Sequence, residues 1–158
     1  FQYVRPDVLV NDAISRAQTH HPNMVIKIKD GMKLSPIIGD PRRLAQVFEN
    51  LLNNSAKYAP DSEVTVSILQ DEIETVIEVS DHGPGIKPEF QAYLFERFFR
   101  VPGQAPNIHG SGLGLFICKQ IVDAHQGSIQ VESVIGIGTK FRIRLPRNSN
   151  LIVQEESE

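Results

Sequence analysis

Cysteine is nearly absent from these 158 residues: Cys118 stands alone. That excludes an internal disulfide and leaves no thiol set for a zinc site. A single thiol on the apolar side of a helix reads as a small packing residue. A chain without disulfides suits a reducing, cytoplasmic compartment. Long apolar runs are missing too. Apolar residues make up 41% of the chain, yet no stretch approaches the roughly 20 needed to cross a bilayer, and no charged start leads into a signal-like run. Charge of one sign is also lacking, since a net −3 gives no basis for a phosphate-backbone surface, so nucleic acid is not an expected partner. The histidines, including the His20–His21 pair before Pro22, fall at no metal-ligand spacing. The chain begins at Phe1 rather than Met and in mid-pattern, so a piece of a longer protein is expected.

What remains is enough sequence for one domain with a substantial core. Residues 1–4 read as a short strand, and Pro6 opens a helix with Val8, Leu9, Ala13, Ile14 and Ala17 spaced along one face. Residues 25–29 alternate as a strand. Asp40 followed by Pro41 is an N-cap with proline at the first helical position, and Ala59-Pro60 ends that helix near Tyr58. Residues 64–69 and 75–79 pair across an acidic turn, and 128–133 and 139–145 pair around Gly136 and Gly138. A short helix is predicted between Pro88 and Leu94, and another from Gly114 to about His125, ended by Gly127. Residues 101–109, with two prolines and no periodicity, are expected to form a mobile loop. Helices and paired strands without βαβ alternation predict an α+β, two-layer α/β sandwich over residues 1–146. Residues 147–158 read as a frayed acidic tail.

The helix after Pro41 is the first chemically informative element. Leu44, Val47, Phe48, Leu51, Leu52 and Ser55 form an inner face at helical spacing. Arg43, Gln46, Asn50, Asn53, Asn54 and Lys57 share the other side. A solvated face is one reading. Against it, asparagine is a poor helix former, costing roughly 0.5 kcal/mol relative to alanine, and three occur within five interior positions. Asn50 and Asn54, four apart, can aim two amide oxygens at one hard cation. Magnesium takes oxygen ligands and is commonly shared between protein and nucleotide phosphates.

Two glycine-bearing loops follow. Asp81-His82-Gly83-Pro84-Gly85 leaves a strand, where a carboxylate can accept from the exocyclic amine of adenine while glycines let a flat base approach. An ordinary Asx turn is the competing reading. Gly110-Ser111-Gly112-Leu113-Gly114 opens a helix, whose N-terminal N–H groups suit an anion, or it is only a pliable lead into that helix. It is neither the dinucleotide fingerprint nor a P-loop, because Leu115 occupies the last glycine position and no Gly-Lys-Ser/Thr occurs. Between the loops lies Phe95-Glu96-Arg97-Phe98-Phe99-Arg100. Its phenylalanines read as packing anchors, and Arg97 and Arg100 either reach phosphate oxygens or are solvated.

In this order and spacing, the elements resemble the catalytic and ATP-binding domain of sensor histidine kinases, within the superfamily shared with gyrase, mismatch-repair ATPases and the 90-kDa heat-shock chaperone. The carriers are an N box at residues 50–58 (NLLNNSAKY), glycine boxes at 81–86 (DHGPGI) and 110–115 (GSGLGL), and an F box at 95–100 (FERFFR). The resemblance implies a mixed sheet of about five strands, with helices on one face and a mobile lid over ATP. It implies that Asn54, with Asn50 beside it, binds magnesium, that Lys57 contacts phosphate, and that Tyr58 borders the adenine. Asp81 would bind the adenine amine in a pocket shaped by Gly83, Gly85 and Ile86. Gly110, Ser111, Gly112, Leu113 and Gly114 would wrap the phosphates. Asn50, Lys57, Arg97 and Arg100 are the catalytic candidates.

Ser55 departs from the usual alanine, and His82 from the usual asparagine. The family transfers phosphate to a histidine on a separate helical hairpin, commonly in a His-Glu-Leu-Arg-Thr-Pro context, and no such motif occurs here. The expected partners are therefore that hairpin of the same parent and a response regulator, with this piece monomeric, the parent a homodimer, and the parent's membrane attachment open. Two other readings stay in view: a serine kinase of the anti-sigma-factor type, and a nucleotide-sensing interaction module without kinase activity.

Overall fold

The computed structural model describes residues 1–30, 34–103 and 112–147. Eleven elements follow in order: β1 (Gln2–Val4), α1 (Pro6–His20), β2 (Ile26–Asp30), β3 (Ile37–Gly39), α2 (Pro41–Tyr58), β4 (Val64–Gln70), β5 (Glu74–Ser80), α3 (Pro88–Gln91), α4 (Gly114–Ala124), β6 (Ser128–Val134) and β7 (Gly138–Pro146). Five strands make a mixed sheet in the order β2-β4-β5-β7-β6, with β2 parallel to β4 and the other pairs antiparallel. This is the α+β sandwich with about five strands that the sequence predicts. It also contains a feature the sequence reading lacks: β3 pairs with β1 in a small separate sheet, Val4 opposite Ile37.

Alternation along the strands decides which sheet face is covered. Val64, Val66 and Ile68 of β4, Ile77 and Val79 of β5, and Phe141, Ile143 and Leu145 of β7 are buried in one cluster with the apolar stripes of α1, α2 and α4. A fully buried leucine, isoleucine or phenylalanine contributes roughly 1.5–3 kcal/mol. The opposite face carries Glu74–Arg144 and a chain of pairs joining Glu132, Arg142, Glu78 and Lys140. Solvated pairs of this kind contribute about 0–1 kcal/mol each, so apolar burial holds the layers together.

Helix α2 has the bounds its caps dictate. The Asp40 carboxylate accepts from the N–H groups of Arg42 (3.0 Å) and Arg43 (3.3 Å), and Pro41 fills the first turn. Such a cap is worth about 1 kcal/mol. All six residues assigned to its inner face are buried. His125, just past α4, braces the start of α2: its Nε2 accepts from Asp40 N–H at 2.9 Å, and its Nδ1–H donates to the Ile121 carbonyl at 2.7 Å. Helix α4 ends in a Schellman motif, with Gln126 N–H on Asp123 O and Gly127 N–H on Val122 O. The left-handed position (φ 59°) falls on Gln126 rather than on Gly127. Gly127 is instead needed for close approach, because a Cβ there would collide with the Arg144 carbonyl.

Two further differences concern the loops. Helix α3 is shorter than the predicted 88–94, and turns carry the chain on from Gln91. Arg147, the first residue of the predicted tail, is tied to the sheet by its N–H on the Ile73 carbonyl (2.9 Å). The rest of the tail, and residues 104–109 of the predicted mobile loop, lie outside the described residues.

Candidate functional site

Asn50, Asn53, Asn54 and Lys57 follow one another at i, i+3, i+4 and i+7, which places them on one side of α2 while Leu51, Leu52 and Ser55 face the core. That polar side opens on a cleft of about 870 Å³, with Tyr58 and Ala59 at the helix end. Arg43 and Gln46, which share the stripe in the sequence, do not line it.

The asparagines are held differently. Asn50 Nδ2 donates to the Gly114 carbonyl (3.4 Å), which directs its Oδ1 away from that carbonyl. Behind it the Cys118 thiol bonds the Val47 carbonyl at 3.7 Å, and burial pushes that thiol up to about 12. Cys118 is thus the small buried packing residue that the sequence predicts. Asn53 Oδ1 lies 3.2 Å from His21 Nε2. The half-buried Asn54 side chain has no hydrogen-bond partner among the described residues.

Asp81 lies at the other end of the cleft, where β5 stops. Its Oδ1 accepts from Gly83 N–H (2.9 Å) and Thr139 N–H (3.2 Å), while its Oδ2 faces the Ser55 hydroxyl at 3.5 Å. The Asx turn offered by the sequence is thus formed, by a residue that also lines the cleft. From Asn50, bonded to Gly114, to Ser55, bonded to Asp81, the helix rises roughly 7 Å, so the two loops meet the cleft at different heights along α2.

Gly85 and Gly112 combine a left-handed backbone with close approach to a neighbouring strand or loop, which favours glycine twice over. Gly85 (φ 78°) runs against Val134, whose carbonyl a Cβ would strike. Gly112 (φ 72°) lies on the backbone of Phe98, where a Cβ would come within 2.6 Å of the carbonyl carbon, and its own carbonyl accepts from Phe98 N–H at 2.9 Å. Gly83 is tightly packed on Ala59, with a Cβ 2.6 Å from the Ala59 methyl. Gly112, Gly114 and Leu115 line the cleft, and α4 starts there with no side-chain cap and no acidic residue in its first turn. Those N–H groups and the positive end of the helix are suited to an anion. Leu113 sits at the N-cap position. Gly110 and Ser111 lie outside the described residues.

The F box is divided by the structure. Phe95 packs edge-on against Phe141 (6.3 Å between centroids), and Phe99 joins Tyr93 (5.8 Å) and Phe90 (6.5 Å). Phe98 is not an anchor: it is 65% exposed and has a left-handed backbone (φ 65°), imposed by its pairing with Gly112. Arg100 lines the cleft, whereas Arg97 does not and instead lies over the Phe116 ring at 4.8 Å.

Several cleft residues escape the sequence reading. Leu94, Thr139 and Phe141 are buried wall residues, and Ile135 comes from the β6–β7 turn. Thr139 Oγ1 bonds Ser133 Oγ (2.8 Å), which also accepts from Ile86 N–H (2.8 Å), so Ile86 is fixed at the rim through that pair. A polar residue at an inward strand position, directly after Gly138, was the available signal for Thr139.

The geometry can be set beside known proteins. Residues 39–149 match the family described as histidine kinase-, DNA gyrase B-, and HSP90-like ATPase. The chain is 41% identical over 110 residues to the sensor protein SrrB of Staphylococcus aureus, a match that covers 68% of this chain but only 19% of that relative. A solved structure of the mycobacterial sensor histidine kinase MprB is similar with a TM-score of 0.81 and 31% identity, covering 92% of this chain and 97% of that one. The nucleotide-free catalytic domain of the histidine kinase ThkA shares the fold, with a TM-score of 0.80, 22% identity, and coverage of 93% and 99%.

Proposed function

The chain belongs to the histidine kinase-, DNA gyrase B-, and HSP90-like ATPase family, as an ATP-binding catalytic domain of the sensor histidine kinase type, and from that premise we propose how its cleft works. It holds ATP with the adenine at Asp81 and the phosphates between Asn50, Lys57 and the start of α4, and it presents the γ-phosphate to a histidine on a separate helical hairpin of the same parent. A response regulator then receives the phosphoryl group. The observation that carries this reading is the divided carboxylate of Asp81, whose Oδ2 is left toward the cleft while Oδ1 closes the loop.

In this reading the adenine amine donates to Asp81 Oδ2, with Gly83, Gly85 and Ile86 shaping the pocket and Tyr58 along its edge. Gly112, Leu113 and Gly114, continuing from Gly110 and Ser111, surround the phosphates, and Lys57 and Arg100 offer positive charge. Arg97, held over Phe116, is the weakest of the proposed catalytic residues.

The residues present fit magnesium. Asn50 spends its N–H on Gly114 and keeps an amide oxygen, and Asn54 adds another one turn on. Among the described residues no group of three or more His, Cys, Asp or Glu gathers for a metal. A cation here would therefore share its coordination with phosphate oxygens and water, as magnesium does. When bound it would neutralise phosphate charge, and Asn50 and Asn54 would hold it.

The reading places the chain in the cytoplasm and its parent in a homodimer, with no nucleic-acid partner. No helix among the described residues is long and apolar enough to cross a membrane. The test is to mix the chain with the purified hairpin and γ-labelled ATP. Acid-labile, base-stable label on the hairpin is expected. Acid-stable label would indicate a serine kinase, and ATP binding without transfer a sensing module.

A further inference from the structure

Asn53 is the middle member of the asparagine stripe, and its amide is held from outside its own helix. Its Oδ1 can only accept a hydrogen bond, and His21 Nε2 lies 3.2 Å from it, so that ring nitrogen carries the hydrogen. A planar amide with its oxygen tied on one side turns its NH2 to the other, and Asn53 lines the cleft. We propose that His21 is a positioning residue, which fixes the Asn53 amide with its two N–H donors toward the nucleotide and so makes Asn53 a contact for the polyphosphate. The inference rests on the ATP reading given above.

The polarity of the stripe supports the assignment. Asn50 has its N–H committed to Gly114 and no hydrogen bond to its oxygen among the described residues, an arrangement suited to a cation. Asn53 has the reverse arrangement, suited to an anionic oxygen, and Lys57 follows it by one turn with a positive charge. An asparagine amide facing water turns either end outward at little cost, so an external partner is needed to choose the end.

His21 is built to be that partner. It sits at the C-cap of α1, its N–H on the Ala17 carbonyl (2.8 Å) and its carbonyl accepting from Met24 N–H (3.0 Å). Five residues earlier, Arg16 pairs with Glu49 at 2.6 Å, so α1 and α2 are cross-linked twice in the same direction. The ring is thereby held against α2 from a backbone fixed on both sides.

The test is calorimetry on the whole chain with magnesium-ATP and, separately, adenosine. His21→Ala should weaken ATP binding by about three- to tenfold, the range for one net hydrogen bond, and leave adenosine unchanged. His21→Gln, which offers an amide donor in place of Nε2–H, should recover most of the loss. In an Asn53→Ala background, His21→Ala should have no further effect. Equal loss for adenosine and ATP, failure of His21→Gln to rescue, or full additivity with Asn53→Ala would overturn the proposal, as would undiminished ATP affinity in His21→Ala. A wild-type chain that does not bind ATP would instead overturn the reading on which the proposal rests.

Discussion

Asp81 and Thr139 form a hybrid rung at the end of the sheet. Asp81 N–H donates to the Thr139 carbonyl at 2.9 Å as in a regular ladder, but the return bond runs from Thr139 N–H to the Asp81 side chain at 3.2 Å. Gly83 N–H shares the same oxygen. One carboxylate oxygen thus finishes the strand pairing and the loop, and the other accepts from the Ser55 hydroxyl and keeps a second lone pair for the cleft.

Two substitutions at Asp81 should therefore part company. Asp81→Asn keeps an oxygen for Gly83 and Thr139 but turns an NH2 group to the cleft. ATP affinity should fall by about 1.5–3 kcal/mol, roughly 10- to 150-fold, with thermal stability near wild type. Asp81→Ala strands both N–H groups and should also cost roughly 1–3 kcal/mol of stability without ligand. Unchanged ATP affinity of Asp81→Asn by calorimetry would remove the adenine assignment.

At Asn54 the expectation is a gain and a loss. Alanine is the better helix former by roughly 0.5 kcal/mol, so Asn54→Ala should melt no earlier than wild type without nucleotide. Its ATP affinity should no longer rise on adding magnesium. Early melting of the ligand-free variant would make Asn54 structural instead.

The glycines beside the phosphate end should respond unequally. Gly112→Ala places a methyl on the Phe98 backbone at a left-handed φ, which should cost roughly 1–3 kcal/mol and weaken nucleotide binding. A Cβ on Gly114 meets no atom within 4 Å among the described residues, so Gly114→Ala should leave the ligand-free melting temperature intact. Equal stability of the two variants in thermal scans would deny that Gly112 is set by Phe98.

Cys118 gives a pH signature. Burial raises the thiol from an ordinary 9.0 to about 12, so above pH 9 the folded state keeps a proton that the unfolded state releases. The sign is fixed: this stabilisation is intact below about pH 9 and is lost as pH rises through about 12. Cys118→Ala should therefore lose less stability than wild type in urea titrations between pH 8 and pH 10.5. Parallel losses would show that the thiol titrates normally. At pH 8 the native thiol should also react with a disulfide reagent far more slowly than in the unfolded chain, because it is both buried and protonated.

Where the deciding chemistry is local, the sequence was readable. Asp40-Pro41 and Ala59-Pro60 bound α2 correctly, because a cap acts within one turn. The mixed sheet of about five strands followed only from the family resemblance, since β4, the parallel partner of β2, lies far along the chain. Three-residue β3 escaped because only β1 makes it a strand. Phe98 was misjudged because aromatic character suggests burial, whereas its conformation is set by Gly112. The pairing of His21 with Asn53 was equally hidden, as nothing in a His-Pro sequence indicates which later side chain the ring will meet.

The bond from Phe98 N–H to the Gly112 carbonyl brings the chain back to where it left. The sequence between them is in effect a closed loop whose length the fold does not measure. Closing such a loop becomes harder only with the logarithm of its length, by about 0.6 kcal/mol per doubling. A change in the number of residues between Phe98 and Gly112 therefore costs little in loop closure so long as the two anchors stay, whereas a change at Phe99 or Arg100 alters the cleft wall itself.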